Sequence, residues 1–149
     1  MNTNEIIKAT GRLNIQVIDI DGTIKQEQTV DNLVVSTGLG FIASRMKDAT
    51  AAAMSNMAIG SGTAAAAGGN TALGTELGRA ALVSTTVTDN AVAYVATFGA
   101  GVGTGAVTEA GLFNAASNGT MLCRTVFGVV NKEATDTMSI TWTVTIGAA

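Results

Sequence analysis

Histidine and proline are absent from this chain, cysteine occurs once, and charge is scarce. Without an imidazole there is no His-dependent triad and no His-ligated metal site. A lone Cys123 leaves no partner for a disulfide within the chain. Lys and Arg total 8 against 11 Asp and Glu, a net charge of −3, and charged residues make up 13% of the 149. Typical chains carry about 25%. Positive charge this sparse and scattered excludes a protein that lives on phosphate contacts, so no nucleic-acid partner is expected. A spanning helix needs roughly 20 consecutive apolar residues. The most apolar tracts, Ala64–Ala67 and Ala91–Ala100, are short or broken by polar residues and Gly, so no membrane partner is expected either. The first residues, Met1 to Arg12, are polar and include Glu5, unlike a secretory signal. The chain is expected to be made and used without secretion, with any assembly taking place in the cytoplasm of its host cell.

Apolar residues supply 47% of the sequence, which excludes intrinsic disorder. The mean hydropathy of +0.38 is high for a free monomer. Ala, Thr, Gly and Val leave a surface that a second subunit covers at little desolvation cost. Low charge also gives a monomer little protection against association. These features point to an assembled protein, and the length allows one domain, 1–149, with residues 1–12 as an N-terminal arm.

The pattern along the chain is mostly period two. Leu13, Ile15 and Val17 alternate, Asp21-Gly22 is a two-residue hairpin signal, and Lys25 to Val30 returns. The spacing predicts a strand, a type I′ turn and a strand. At Ser36 to Lys47 the period changes. Leu39, Ile42, Ala43 and Met46 fall on one helical face, Ser36 or Thr37 is placed to cap it, and Lys47 near its end suits the dipole. Met57–Gly60 reads as a short buried strand, Gly60–Thr63 as a turn, and Thr71–Leu77 as a brief helical turn capped by Asn70. Ala81–Thr88 and Ala91–Phe98 form a second hairpin, and alternating glycines from Gly99 to Gly105 form a loop. Thr108–Asn114, a turn at Asn118-Gly119, and Met121–Val130 form a third. Thr137–Ile146 alternates cleanly, with Met138, Ile140, Trp142, Val144 and Ile146 on one face. The expected fold is mainly β: an antiparallel β-sandwich or jelly-roll-like barrel with one short α-helix.

Few residues look chemical. Asp19-Ile20-Asp21-Gly22-Thr23 resembles the Asp-x-Asp-Gly-Thr motif of haloacid-dehalogenase-type phosphotransferases. That resemblance would make Asp19 a nucleophile and Asp21 a general acid/base. The chemistry also needs a Lys and an acidic pair for magnesium. Asp31, Asp48, Glu76, Asp89, Glu109, Glu133 and Asp136 are isolated from one another, and the regular βα alternation of a parallel core is missing. A β-turn is the better reading, and a phosphotransferase using Asp19 and Asp21 the distant alternative. The glycine loops lack a Gly-Lys pair, so no phosphate loop is present. Cys123 reads as a small core residue, since nothing is at hand to activate it. Asn118-Gly119-Thr120 matches a glycosylation sequon but reads more simply as the hairpin turn. Tyr94 and Trp142 read as core aromatics and not as sugar platforms. No catalytic, cofactor-binding or metal-binding residue is assigned, and no cofactor is expected.

Several blocks in order resemble small tailed-bacteriophage virion structural proteins. They are the Asp-Gly hairpin, Asn32–Val35 with Gly38-Leu39, Met57–Thr63, Thr71-Ala72-Leu73 with Glu76-Leu77, and Ala96–Phe98. Thr108–Asn114, Arg124–Phe127 and Thr141–Val144 complete the series. Together they reach from Leu13 to Ile146. The Ile-Gly-x-Gly and Glu-Ala-Gly-Leu-Phe blocks are also similar to attachment domains of tail fibres and baseplate proteins. The resemblance implies a non-enzymatic virion protein. The first expectation is a capsid decoration or cement protein, a homotrimer whose partner is the major capsid protein. The alternative is a tail-fibre-base, baseplate or neck adaptor, with tail or baseplate proteins as partners.

Overall fold

The computed structural model describes residues 5–148; residues 1–4, part of the expected arm, lie outside it. Eight strands and one helix follow in the order β1 (Ile7–Ile18), β2 (Ile24–Val34), α1 (Ser36–Ser44), β3 (Asn56–Gly60), β4 (Glu76–Thr88), β5 (Ala91–Phe98), β6 (Gly105–Phe113), β7 (Met121–Lys132) and β8 (Thr137–Ala148). They close into a barrel with the neighbour order β1-β2-β7-β6-β3-β4-β5-β8, every pair antiparallel. This is the expected mainly-β class with its one short helix. No described helix is long and apolar enough to cross a membrane.

Two strands change partners midway and make the barrel out of two sheets. β4 pairs with β3 as far as Ala81 and with β5 from Leu82 onward, with a bulge between Leu82 and Ser84. β2 pairs with β1 up to Asn32 and then gives only Leu33 and Val34 to β7. Elsewhere along the β2–β7 seam, side chains carry the join. Gln26 and Gln28 donate from Nε2 to the carbonyls of Val129 and Gly128, and Thr125 donates from Oγ1 to the carbonyl of Asp31. The buried core is filled from both sheets by Leu13, Ile15 and Val17 of β1, Phe98 of β5, Leu112 of β6, and Met138, Ile140 and Trp142 of β8. Strict alternation on β1 and β8 makes this possible, because a period of two puts every second side chain inside.

Several expectations are corrected. Ile7–Arg12, placed in the arm, form the first half of β1 and pair with β8. Apolar alternation begins only at Leu13 because these earlier residues stand at the exposed end of the strand. The first turn is not type I′, which needs positive φ at two successive residues; in this turn only Gly22 has positive φ (+86°), and Asp21 does not. The Gly22 N–H bonds the Asp19 carbonyl at 3.0 Å, and the Asp19 N–H bonds the Thr23 carbonyl at 2.9 Å. This is a longer loop ending on one left-handed glycine. Thr71–Leu77 is irregular up to the start of β4 at Glu76, with no helical turn.

The helix stops at Ser44, short of Lys47, and neither Ser36 nor Thr37 caps it by a side-chain bond; the N-cap is Val35. Thr37 instead donates to the carbonyl of Met121. Nor does the helix bury the face that its period suggests. Leu39 is 50% and Met46 86% exposed, while Gly38 is buried. A Cβ on Gly38 would overlap the backbone of Leu122, so the glycine lets the helix lie directly on β7. Phe41 and Ile42 then pack onto the core from that approach.

Candidate functional site

The densest polar constellation lies on the outer face of the β3–β6–β7 sheet. On β6 the block Glu109–Phe113 alternates. Ala110 and Leu112 enter the main core, whereas Phe113 joins a second, smaller apolar cluster with Val35, Ala58 and Met121, against which Leu73 packs. Gly111 sits between them because a Cβ there would press on Leu73 and Phe113 at 3.0 Å. Glu109 shares the Phe113 face and is wholly buried.

Buried carboxylates need a full set of donors, since an unpaired buried charge is costly. Glu109 has such a set. Arg124 on neighbouring β7 donates to its Oε2 from Nη2 at 2.8 Å and Nε at 3.1 Å. The backbone N–H groups of Gly62 and Thr75 reach Oε1 at 2.8 Å, and that of Gly74 reaches Oε2 at 2.9 Å. Burial, the largest single influence, pushes this carboxyl up. The backbone donors of Thr75 and Gly74, then Arg124 and Gly62, outweigh it and hold the group below its ordinary value. Arg124 is itself buried, and its remaining donors go to Asn70 Oδ1 and the carbonyl of Ala64, both at 3.0 Å. Thr108 adds a bond from Oγ1 to the carbonyl of Gly62.

These bonds pin the irregular segment 61–75 over the sheet. Glycine is required where that segment touches Glu109: a Cβ on Gly60 or Gly62 would strike its carboxylate end. A second arginine secures the neighbouring loop. Arg79 on β4 stacks over the ring of Phe113 at 3.9 Å, donates to the carbonyls of Ala115 and Asn118, and pairs with Glu76 at 2.7 Å. The constellation is bonded to the protein's own backbone, to opposite charges and, through Arg124, to the side chain of Asn70. It holds loops in place.

A second cluster closes the barrel end that carries the 99–104 loop. Lys132 is buried and donates to the carbonyl of Gly99 at 2.9 Å. Burial lowers its basicity, and the Asp136 carboxylate partly restores it. Asp136, also buried, accepts from Lys25 Nζ and the Glu133 N–H at 2.9 Å each. The Lys25 bond is the main cause holding the Asp136 carboxyl below its ordinary value, and it raises Lys25 in return.

The sequence-derived candidates fall elsewhere. Asp19 Oδ1 accepts the backbone N–H groups of Asp21 and Thr23 at 2.9 and 3.0 Å, so its carboxylate is committed to its own turn. Among the described residues, no group of three or more Cys, Asp or Glu is placed to hold a metal ion. Cys123 is buried on β7, and burial pushes its thiol well above the ordinary value. Tyr94 and Trp142 are core residues. Trp142 also donates its indole N–H to Asn32 Oδ1 at 3.0 Å, while Asn32 Nδ2 is buried without a partner. Asn118 and Gly119 both adopt positive φ, as a turn requires. The Glu109–Arg124 pair has no signal in hydrophobic periodicity. What marks it is a charged residue at a strand position flanked by buried ones.

Two clefts remain. One, of about 1010 Å³, lies where β1 and β2 part, bordered by Ile7, Asn32, Leu33 and Leu39. The other, of about 310 Å³, is apolar and lies between α1 and the β4–β5 hairpin, bordered by Phe41, Ile42, Val87, Val92 and Tyr94. In the first, Asp31 is paired with Arg12, and among the described residues no lining hydroxyl is hydrogen-bonded to a carboxylate or a lysine; the second is lined by no carboxylate and no lysine. No protein-family model matches this chain, and no curated protein or solved structure matches it either.

Proposed function

We propose that this chain is a non-enzymatic structural protein of a tailed-bacteriophage virion, acting as a capsid decoration protein that stabilises the assembled head. The observation that carries the reading is the convergence of the resembling blocks. Gly62 from the Ile-Gly-x-Gly block, Thr75 and Gly74 beside Glu76-Leu77, Glu109 from Glu-Ala-Gly-Leu-Phe and Arg124 from Arg-Thr-Val-Phe meet at one buried carboxylate. Blocks far apart in sequence therefore serve one architectural purpose. They fasten the irregular segment 61–75 to the sheet.

The mechanism is multivalent burial. The outer face of β8 and β5 offers Thr141, Thr143, Thr145, Ala93 and Val95, which carry no charge to desolvate. A homotrimer presents three such surfaces to shell subunits around a three-fold site. Its attachment is then strengthened by effective concentration and not by new contacts. Binding only the assembled shell stabilises that shell by mass action. Tail attachment is the second reading, because the two blocks that meet at Glu109 are those that resemble fibre and baseplate attachment domains.

The test adds purified protein to isolated heads and to isolated tails. Saturable co-sedimentation with heads, and a raised temperature of head disruption, are expected. Co-sedimentation with tails alone would move the protein to the tail. Binding to neither would remove the virion reading.

A further inference from the structure

Closing a barrel should leave no strand edge unpaired, yet this barrel leaves several stretches with a strand on one side only, and two of them bound one four-stranded run. β1 pairs with β2 only from Gly11 onward, so Ile7–Thr10 are bonded to β8 on one side and to no strand on the other. β4 leaves β3 after Ala81, so Val83–Thr88 have β5 on one side and no strand on the other. Both edges belong to the same four-stranded run, β1-β8-β5-β4, and bound it on opposite sides. Neither is covered. Ile7 is 72% and Val87 69% exposed, Ser84–Thr88 are exposed throughout, and the wide cleft runs along Ile7–Thr10. The usual guards of an edge are thin here. Val83–Thr88 holds no charge and no proline, and the only charge on Ile7–Thr10 is Lys8.

Strand direction decides how two such edges meet. Three successive antiparallel pairings make β4 antiparallel to β1. A second copy in the same orientation therefore sets its β1 edge antiparallel to the β4 edge of the first. Side-chain facing restricts the register to steps of two residues, and pairing the most exposed apolar side chains, Ile7 and Val87, selects among them. Odd-numbered residues of β1 point inward, as Leu13, Ile15 and Val17 show, and on the free part of β4 Thr85 and Val87 face the inner cleft. Directly opposed residues share a face, so Ile7 falls opposite Val87, Lys8 opposite Thr86, Ala9 opposite Thr85 and Thr10 opposite Ser84. This register covers the two most exposed apolar side chains of the edges with each other.

We infer that copies of this chain join head to tail through β1 and β4, Ile7–Thr10 of one copy adding to Ser84–Val87 of the next. This rests on the homo-oligomer in the proposed function and names the surface that builds it. Such a contact is heterologous, and it closes into a ring when the rotation between copies closes. For the proposed trimer that rotation is one third of a turn.

Cysteine pairs test the register. Opposed residues of an antiparallel pair lie about 4.5–5.5 Å apart, within disulfide reach. Within one chain the two edges are separated by three strand spacings, about 14 Å, which is too far to bridge. Hydrogen-bonded and non-bonded pairs alternate, so Lys8→Cys with Thr86→Cys and Ile7→Cys with Val87→Cys between them sample both geometries. All four side chains are exposed, and circular dichroism checks that each variant keeps the native β spectrum. Under a mild oxidant, at least one double variant is expected to give a covalent ladder that stops at three chains. The single variants and the native chain, whose Cys123 is buried, stay uncrosslinked. A dimer from Thr86→Cys alone would mean that β4 pairs with itself and would overturn the inference. So would a ladder that runs past three, or the absence of crosslinks in both double variants. Sedimentation of the native chain separates these failures: an oligomer without crosslinks refutes the register alone, and a monomer refutes the oligomer as well. The head and tail binding assay reads the virion proposal independently of either.

Discussion

Glu109 and Arg124 lie side by side on adjacent strands, both buried, with the guanidinium donating twice to one carboxylate oxygen at 2.8 and 3.1 Å. Removing either partner leaves the other charge buried without its counterion, which typically costs about 3–5 kcal/mol. Glu109→Ala also frees the N–H groups of Gly62, Gly74 and Thr75. Expected outcomes are a lower denaturant midpoint and early proteolytic cleavage within 61–75. A variant as stable as the native chain would show that the segment is held by other contacts.

The same carboxylate sets an acid limit. Its folded value lies below the ordinary 4.5, as that of Asp136 lies below 3.8. A depressed folded value contributes stability that is present above the unfolded value and is lost as pH falls through the folded one. Stability is therefore expected to hold from neutral pH down to about 4.5 and to fall progressively below it. In Glu109→Gln that acid-side slope should be shallower. Denaturant titrations at a series of pH values read it directly.

Trp142 combines apolar burial with one hydrogen bond. Trp142→Ala should cost about 3–5 kcal/mol by loss of buried area and by the cavity left behind. Trp142→Phe keeps most of that area but leaves Asn32 Oδ1 without its donor, beside an Nδ2 that already lacks a partner. An unsatisfied buried polar atom costs about 1–3 kcal/mol. Thermal unfolding of the two variants should rank native above Phe and Phe above Ala. Equal midpoints for the native chain and the Phe variant would show that the indole bond contributes nothing.

Gly38→Ala sets helix propensity against packing. Alanine is favoured over glycine in a helix by about 1 kcal/mol. Here the new methyl would overlap the backbone of Leu122, which cannot swing aside as a side-chain tip can. The expected sign is destabilisation, with α1 lifted from β7 and the apolar cleft beneath it enlarged. A stabilised variant would show that the helix is free to shift.

Much of the fold was legible because burial on one face writes a period of two into β1 and β8, and turn residues such as Asn118-Gly119 announce themselves. Other features were hidden for physical reasons. The start of β1 at Ile7 was obscured because one edge of Ile7–Thr10 is unpaired and most of its side chains meet solvent. The helix misled because it docks through Gly38, so backbone proximity and not an apolar stripe fixes its face. The Glu109–Arg124 junction depends on register between β6 and β7 and on an irregular segment folding back, neither of which periodicity encodes. At Asp19-x-Asp21 the Asp-Gly pair announces a turn, but its type was hidden because the Asp19 carboxylate, binding the backbone N–H groups of Asp21 and Thr23, helps to shape it.

The most direct measurement is the copy number of this chain, by quantitative mass spectrometry, in separated heads and tails of purified particles. A capsid decoration protein should occur in heads in fixed proportion to the shell subunit and be missing from tails. A few copies confined to tails would contradict the decoration role, and absence from both fractions would contradict the virion assignment itself.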